Sequence, residues 1–306
     1  MRFMTSLRFI DVVAREGSIR KAADKLAITS TALNRRILQI EDEIGQPLFE
    51  RLPVGVRLNT AGEIFVQHIR SQFADLARVQ SQIADLSGIR RGHVQIASGA
   101  DALRRFLPAA IAAYRSSHPA VSFQLNRCYG EDAEARLLSL DADLALIFNP
   151  IRAAHVHVAA TVRQQIQCVM PAEHRLADRQ AIRLRDLAGE DLVLPSAHSG
   201  VRQILDSALM RRNIDPQVIL ESDSFEFMQN FLHFESALFF QIPIAMDGVE
   251  EFDDKLVTRP LDEADVPAGT LHICHLKGRV LPVAAAKFLD DVITNLRSSY
   301  SDLVDQ

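Results

Sequence analysis

The feature that most limits what this chain can fold into lies in its first sixty residues, where turn and cap residues cut three short helical segments apart. Leu7, Ile10, Val13 and Ala14 recur at helical spacing, and Gly17 stops that segment. Ser18 then caps a short helix, Ile19 to Leu26, in which Ala22 and Ala23 leave room for a close helix crossing. After Ala27-Ile28, Thr29 caps a third helix. Its apolar stripe is Leu33, Ile37, Ile40 and Ile44, and Gly45 ends it. Two short helices around a tight turn, the second amphipathic, form a helix-turn-helix.

The face opposite that stripe carries Ser30, Thr31, Asn34 and Arg35, which share one side near the start of the third helix. Hydroxyl, amide and guanidinium groups are the chemistries that read base edges and phosphates in a major groove. Arg36 beside them would meet the DNA backbone. An ordinary solvated helix face has the same composition. Leu52-Pro53-Val54-Gly55-Val56-Arg57-Leu58 reads as a hairpin turning at Pro53 and Gly55, with Arg51 and Arg57 on its two strands. A hairpin beside a recognition helix is a wing, whose arginines reach phosphates or a minor groove. Charge agrees: residues 1–60 hold ten Lys/Arg against seven Asp/Glu (+3), and the remainder holds 24 against 32 (−8).

The run from Leu7 to Arg57 resembles the DNA-binding domain of LysR-type transcriptional regulators. The resemblance rests on Leu7-Arg8-Phe9, Glu16-Gly17-Ser18, Ala22-Ala23-Asp24-Lys25-Leu26, Ala32-Leu33-Asn34-Arg35, Ile40-Glu41, Gly45-Gln46-Pro47-Leu48-Phe49-Glu50-Arg51 and Thr60-Ala61-Gly62. It implies DNA contacts from Ser18, Thr29, Ser30, Thr31, Asn34, Arg35, Arg36, Arg51 and Arg57. Thr29-Ser30-Thr31-Ala32-Leu33-Asn34-Arg35 stands where the family has Ser/Thr-Gln-Pro-Ala-Leu-Ser-Arg. The departures at Ser30, Thr31 and Asn34 bear on the target sequence, not on the docking mode.

From Ala61 to about Ser87 the sequence is helical, with Val66, Ile69, Phe73, Leu76, Gln80 and Ile83 at heptad spacing. Such a seam fits either a dimer helix or a helix lying on its own domain, and the resemblance implies dimerisation, as homodimer or homotetramer. Past Gly92, strands alternate with helices: strand His93–Ser98, helix Asp101–Ser117, strand Val121–Tyr129, helix Asp132–Leu140, strand Leu144–Phe148, and further units to a last helix from Pro282 to about Ser298. That alternation predicts mostly parallel sheets in two lobes with a cleft at the strand ends. Gly92-His93-Val94, Leu107-Pro108, His118-Pro119, Asp143-Leu144-Ala145, His174-Arg175-Leu176-Ala177 and Asp186-Leu187-Ala188-Gly189 extend the resemblance over nearly the whole chain. The expected fold is α+β multidomain: an N-terminal winged helix-turn-helix (1–60), a linker helix (61–91) and a two-lobed α/β domain like periplasmic binding proteins (92–306). Lobe I takes about 92–163 and 268–306, and lobe II about 164–267.

Two loops should face the cleft, Ser98-Gly99-Ala100 and Pro195-Ser196-Ala197-His198-Ser199-Gly200. Helix N-termini there would suit a carboxylate-bearing effector, with Ser98, Ser196, His198 and Ser199 as donors. Asp101 opposes an anion at the first loop. Cys128, Tyr129, Phe148, Asn149 and Phe225 end strands near the cleft and could shape specificity. The same Ser and Asp residues also serve as plain helix caps.

Other chemistries find little support. The three cysteines are far apart, fitting a reducing cytoplasm and no disulfide framework. No apolar run spans a bilayer, and Met1–Ser6 leads into an amphipathic segment, not a signal core, so a cytoplasmic protein is expected. His155 and His157 stand apart in sequence from His272, Cys274 and His275, so no metal site is assigned. Phe225, Phe227, Phe231 and Phe234, at helical spacing, are assigned to the core. No phosphate loop, dinucleotide fingerprint or nucleophile elbow occurs, and no cofactor is implied. The leading reading is a DNA-binding regulator controlled by a small molecule. The competing one is a solute-binding or enzymatic α/β protein whose N-terminal helices only dimerise; only the first loses DNA binding, and keeps ligand binding, when residues 1–60 are removed.

Overall fold

The computed structural model describes residues 2–86, 92–148, 154–245, 255–299 and 303–305. The chain divides into two compact units, Met1–Gln80 and Ser81–Gln306.

The first unit runs α1 (Arg2–Glu16), α2 (Ile19–Lys25), α3 (Ser30–Ile44), β1 (Phe49–Arg51), β2 (Val56–Leu58), and into α4 (Thr60–Leu86). The punctuation residues act as their chemistry dictates. Ser18 Oγ accepts from the Lys21 amide at 3.4 Å, and Thr29 Oγ1 from the Ala32 amide at 3.2 Å. Gly45 closes α3 at φ +77°, a left-handed conformation that costs glycine nothing. Leu33, Ile37 and Ile40 are buried beside Leu7, Ile10, Val13, Ala22 and Ala23, whereas Ile44 is exposed. β1 and β2 pair antiparallel, Glu50 opposite Arg57, as a two-stranded wing.

The heptad reading of α4 needs correction in its first half. Val66 and Ile69 are buried in the core of this same unit, and Phe73 packs against it. Their neighbour Arg70 donates to buried Asp11 at 2.6 Å, and Asp11 also accepts from Arg15 at 2.9 Å. An apolar period specifies a face but not its partner, and here α1 covers it. Among the described side chains of α4's later turns, Leu76, Val79 and Ile83 are apolar and stay exposed. The Gln80 side chain lies outside the described residues.

The second unit holds β3 (Gly92–Ser98), α5 (Ala100–Arg104), α6 (Phe106–Ser117), β4 (Val121–Arg127), α7 (Gly130–Leu138), β5 (Leu144–Phe148), β6 (Val156–Gln164), β7 (Gln167–Pro171), β8 (Asp191–Pro195), α8 (Gly200–Arg212), β9 (Gln217–Ser222), α9 (Phe225–Phe231), β10 (Leu238–Gln241), β11 (Leu256–Pro260), β12 (Gly269–Leu276), α10 (Val283–Ser299) and β13 (Leu303–Asp305). They form two sheets, ordered β13-β6-β12-β5-β3-β4 and β11-β7-β10-β8-β9. The chain crosses from the first to the second between β6 and β7 and returns between β11 and β12.

Mostly parallel sheets were expected, and the sheets are mixed. β3 pairs parallel with β4 and β5, and β8 with β9 and β10. The crossing strands β6, β7, β11 and β12 pair antiparallel with their neighbours, as does β13. A strand that leaves one sheet for another needs no right-handed crossover back, so it is free to run against its neighbours. The helix read as Asp101–Ser117 is two helices, broken at Arg105 (φ −131°, ψ −48°). The helix read from Phe225 to Phe234 ends at Phe231, leaving Phe234 89% exposed and Phe227 exposed, so neither is core. The two histidine groups do come together: β6 and β12 set His157 opposite His275, ring centroids 4.7 Å apart. Among the described residues no set of three or more His, Cys, Asp or Glu is arranged to hold a metal, and no helix is long and apolar enough to cross a membrane.

Candidate functional site

In the first unit, α3 presents Ser30, Thr31, Arg35 and Arg36 as exposed side chains. Arg35 makes no hydrogen bond or ion pair with any described residue. Arg36 donates to Gln39 Oε1, and Gln39 in turn to Glu43 Oε1, a chain along the helix. The wing differs from a pair of free cationic arms. Arg51 donates to Asn34 Oδ1 at 2.9 Å, and Arg57 pairs with Glu50 at 2.7 Å. All four are half or fully exposed, so each contact contributes about 0–1 kcal/mol and yields readily to a phosphate. Asn34 thus links helix and wing in the free protein, a role its sequence position did not reveal. Glu41 sets the approach to the wing by accepting from the Leu48 and Phe49 amides at 2.7 and 3.1 Å. Ser18 and Thr29 cap their helices by accepting backbone amides, which leaves the hydroxyl proton of each to donate to a phosphate.

In the second unit one of the two loops expected at the cleft, residues 195–200, meets the other lobe, and it does so at Tyr129 and not at the Ser98-Gly99-Ala100 loop. The Tyr129 and Ser196 hydroxyls share a 2.9 Å hydrogen bond, and the Tyr129 and His198 rings lie 5.6 Å apart. Beside them Arg127 donates to the Asp223 carbonyl at 2.8 Å and pairs with its carboxylate at 2.5 Å. Arg104 of α5 donates to Gln241 Oε1, at the end of β10, at 3.1 Å. Ala197 is exposed; Gly99 and Ala100 are half-buried, with Ala100 packed against the apolar cluster of Val193, Phe239 and Met228. Ser98 is fully buried and donates to the Gly99 carbonyl, and Ser199 is buried as the N-cap of α8.

Three of the expected specificity residues are core. Cys128 lies with Ala97, Ala133 and Leu137 beneath α7. Phe225 packs edge-on to Phe239, centroids 5.4 Å apart, inside lobe II. Phe148 is buried where Gly269 and Ile204 close over it. A strand end fixes where the chain points but not which of two successive side chains faces inward. Asn149 lies outside the described residues. Arg104, Arg127, Asp223 and Gln241 were not anticipated; no local pattern distinguishes an arginine that bridges lobes from one that is solvated.

Two buried polar atoms in this joint have no partner: Asp101 Oδ1 and Gln241 Nε2. Burial raises the Asp101 carboxyl to about 7. Burial also lowers the Arg104 guanidinium, with Arg105 adding repulsion and Glu226 opposing it.

The cysteines offer no redox chemistry. All three are buried, and burial pushes the Cys128 thiol to about 11, Cys274 to about 12, and Cys168 upward as well. Iodoacetamide at neutral pH should therefore modify none of them in the native protein and all three after denaturation, read by intact mass. Rapid labelling of the native chain would contradict the burial.

A family model described as "LysR substrate binding domain" matches residues 87–297, and one described as "Bacterial regulatory helix-turn-helix protein, lysR family" matches residues 4–63. The chain belongs to the LysR family of bacterial transcriptional regulators: it is a DNA-binding regulator with an effector-binding domain, and its relatives are regulators, not enzymes. It is 31% identical to the RuBisCO operon transcriptional regulator of Allochromatium vinosum, over 68% of this chain and 69% of that one. It is 26% identical to the uncharacterized HTH-type transcriptional regulator YybE of Bacillus subtilis (strain 168), over 94% and 97%. A full-length OxyR from Pseudomonas aeruginosa, solved as a cysteine-to-aspartate variant, shares the fold, with a TM-score of 0.71 and 20% identity, covering 99% of this chain and 98% of that one.

Proposed function

We propose that Ser30, Thr31 and Arg35 of α3 read the major groove while Arg36, Arg51 and Arg57, with Ser18 and Thr29, hold phosphates, and that a small effector bound between the lobes controls this binding. Residues 1–60 are the DNA-binding part, 61–91 the linker and 92–306 the effector part, with lobe I at about 92–163 and 268–306 and lobe II at about 164–267. The exposed Leu76, Val79 and Ile83 face of α4 supports a homodimer or homotetramer, and a dimer supplies two recognition helices for two half-sites. Working on DNA sets the protein in the cytoplasm.

The observation that carries the DNA reading is Arg35: exposed, uncommitted, and one turn into the helix whose start docks against bases. Fluorescence anisotropy of the full chain on DNA from upstream of its own gene, against random DNA over a salt series, tests it. Arg35→Ala should weaken specific binding by about 1–3 kcal/mol and leave random binding nearly unchanged. Equal loss on both DNAs would reassign Arg35 to a phosphate.

For the effector, Tyr129, Ser196 and His198 are polar groups that a ligand can recruit from existing interlobe contacts. A carboxylate end of the effector would sit at the start of α8, where Ser199 makes no side-chain cap bond. Arg127–Asp223 is an exposed pair contributing about 0–1 kcal/mol, small against the roughly 1–3 kcal/mol of coupling such a regulator needs. The lobe arrangement is therefore poised for a ligand to decide.

A further inference from the structure

Resting on the effector reading above, we infer that the interlobe site takes a small zwitterion of amino-acid type, whose N–H donor meets Asp101 and one of whose oxygens accepts from Gln241 Nε2. Asp101 and Arg104 stand three apart on α5, hence on one face of it, and Arg104 reaches Gln241 of the other lobe. Asp101 is therefore on the side of α5 turned to lobe II, as is Ala100, which packs against lobe II's apolar cluster. Both Asp101, 6% exposed, and Gln241, fully buried, keep an unpartnered polar atom there.

Buried polar groups are nearly always hydrogen-bonded, and an orphan pair at one joint marks a missing partner. The two orphans differ in kind. Asp101 Oδ1 is an acceptor, and Gln241 Nε2 is a donor whose own carbonyl oxygen is already held by Arg104. A simple carboxylate satisfies Gln241 but can meet Asp101 only when that acid is protonated, at the cost of its charge. An ammonium beside an oxygen satisfies both. Burial disfavours the Asp101 carboxylate, raising the carboxyl to about 7, and a cation beside it would offset that cost by supplying a charge partner.

The test is a thermal-shift and calorimetric comparison on the full chain, with the proteinogenic L-amino acids at millimolar concentration in one arm and their des-amino and 2-hydroxy counterparts in the other. At least one amino acid should raise the melting temperature while its counterparts do not. Asp101→Asn, which removes the buried acid and keeps its shape, should lower affinity for that amino acid ~10-fold or more with DNA binding retained. Gln241→Leu should lower it independently. If the des-amino acids bind as tightly as the amino acids, and Asp101→Asn leaves both unchanged, the zwitterion is wrong while the interlobe effector site stands. Silence in both arms, with no shift from a small-molecule extract of the source cells either, would overturn the zwitterion and the effector site together; a shift from the extract alone would overturn the zwitterion only.

Discussion

Gly62→Ala is expected to destabilise the N-terminal unit by at least about 3 kcal/mol and to abolish specific DNA binding. Gly62 sits in the first turn of α4, where a Cβ would lie 2.1 Å from the Leu48 carbonyl oxygen, 3.0 Å from its carbon and 2.9 Å from Leu58 Cδ2. Two of those three atoms are backbone, so no rotamer change relieves the collision. The backbone there is also stapled. Asn59 donates its amide to the Leu48 carbonyl at 3.0 Å and its Nδ2 to the Pro47 carbonyl at 2.8 Å, while its Oδ1 accepts from Gly62 N at 2.8 Å. To admit a methyl group, α4 must lift off the segment that leads into the wing, taking Val66 and Ile69 out of the core. Anisotropy and far-ultraviolet circular dichroism together check this. A Gly62→Ala protein with wild-type affinity and melting behaviour would mean the close approach relaxes in a way the stapling forbids.

Arg279→Ala should have a comparable effect in the other unit, about 3–5 kcal/mol, because it strands a buried carboxylate. Arg279 Nη2 pairs with Asp143 Oδ1 at 2.7 Å and its Nη1 donates to the Ala142 carbonyl at 3.1 Å, and both side chains are buried. Asp143 spends its other oxygen on the Gln95 amide at 2.9 Å, and its own amide donates to the Gln95 carbonyl. The pair therefore fastens the entrance of β5 to β3 and to the turn after β12. In a unit of this size the loss should lower the melting temperature by roughly 10 °C. Asp143→Asn, which leaves the buried Arg279 guanidinium without its counter-charge, should cost a comparable amount, and the double variant less than the sum. Additive losses would remove the ion pair as the cause.

The sequence makes the first unit legible because its information is local. Gly45, Ser18 and Thr29 act on their immediate neighbours, and their caps form as the residue types require. What fails there is non-local: Val66 and Ile69 have a heptad period whoever covers them, and Asn34 offers no sign that Arg51 will hold it. In the second unit the parallel strands β5 and β8 read well because nearly all of their residues are apolar and buried, and β3 reads through buried Val94, Ile96 and Ala97 although His93 is exposed. The crossing strands β6 and β11 are partly exposed and carry His157, Arg163, Thr258 and Arg259, so their sequence looks like loop and gains strand character only from the partners they find. Gly99 and residues 196–199 are loop as their sequence implies, while Cys128, Phe148 and Phe225 fall in the core, because a strand's end is visible in sequence and the direction of its last side chains is not.

The two passages between the lobes are bonded to each other. Gln165 Nε2 donates to the Leu261 and Val266 carbonyls at 2.7 and 3.1 Å, Leu261 N donates to the Ile166 carbonyl at 2.9 Å, and Ile182 bridges Leu261. Gln164, buried alongside, accepts from the Ile244 amide at 2.8 Å. Two independent strands of chain would let one lobe twist, shear and tilt over the other, and would scatter a ligand's influence over all of these. Riveted together they leave a single axis about which the lobes can turn, so whatever settles between them is converted into one angle.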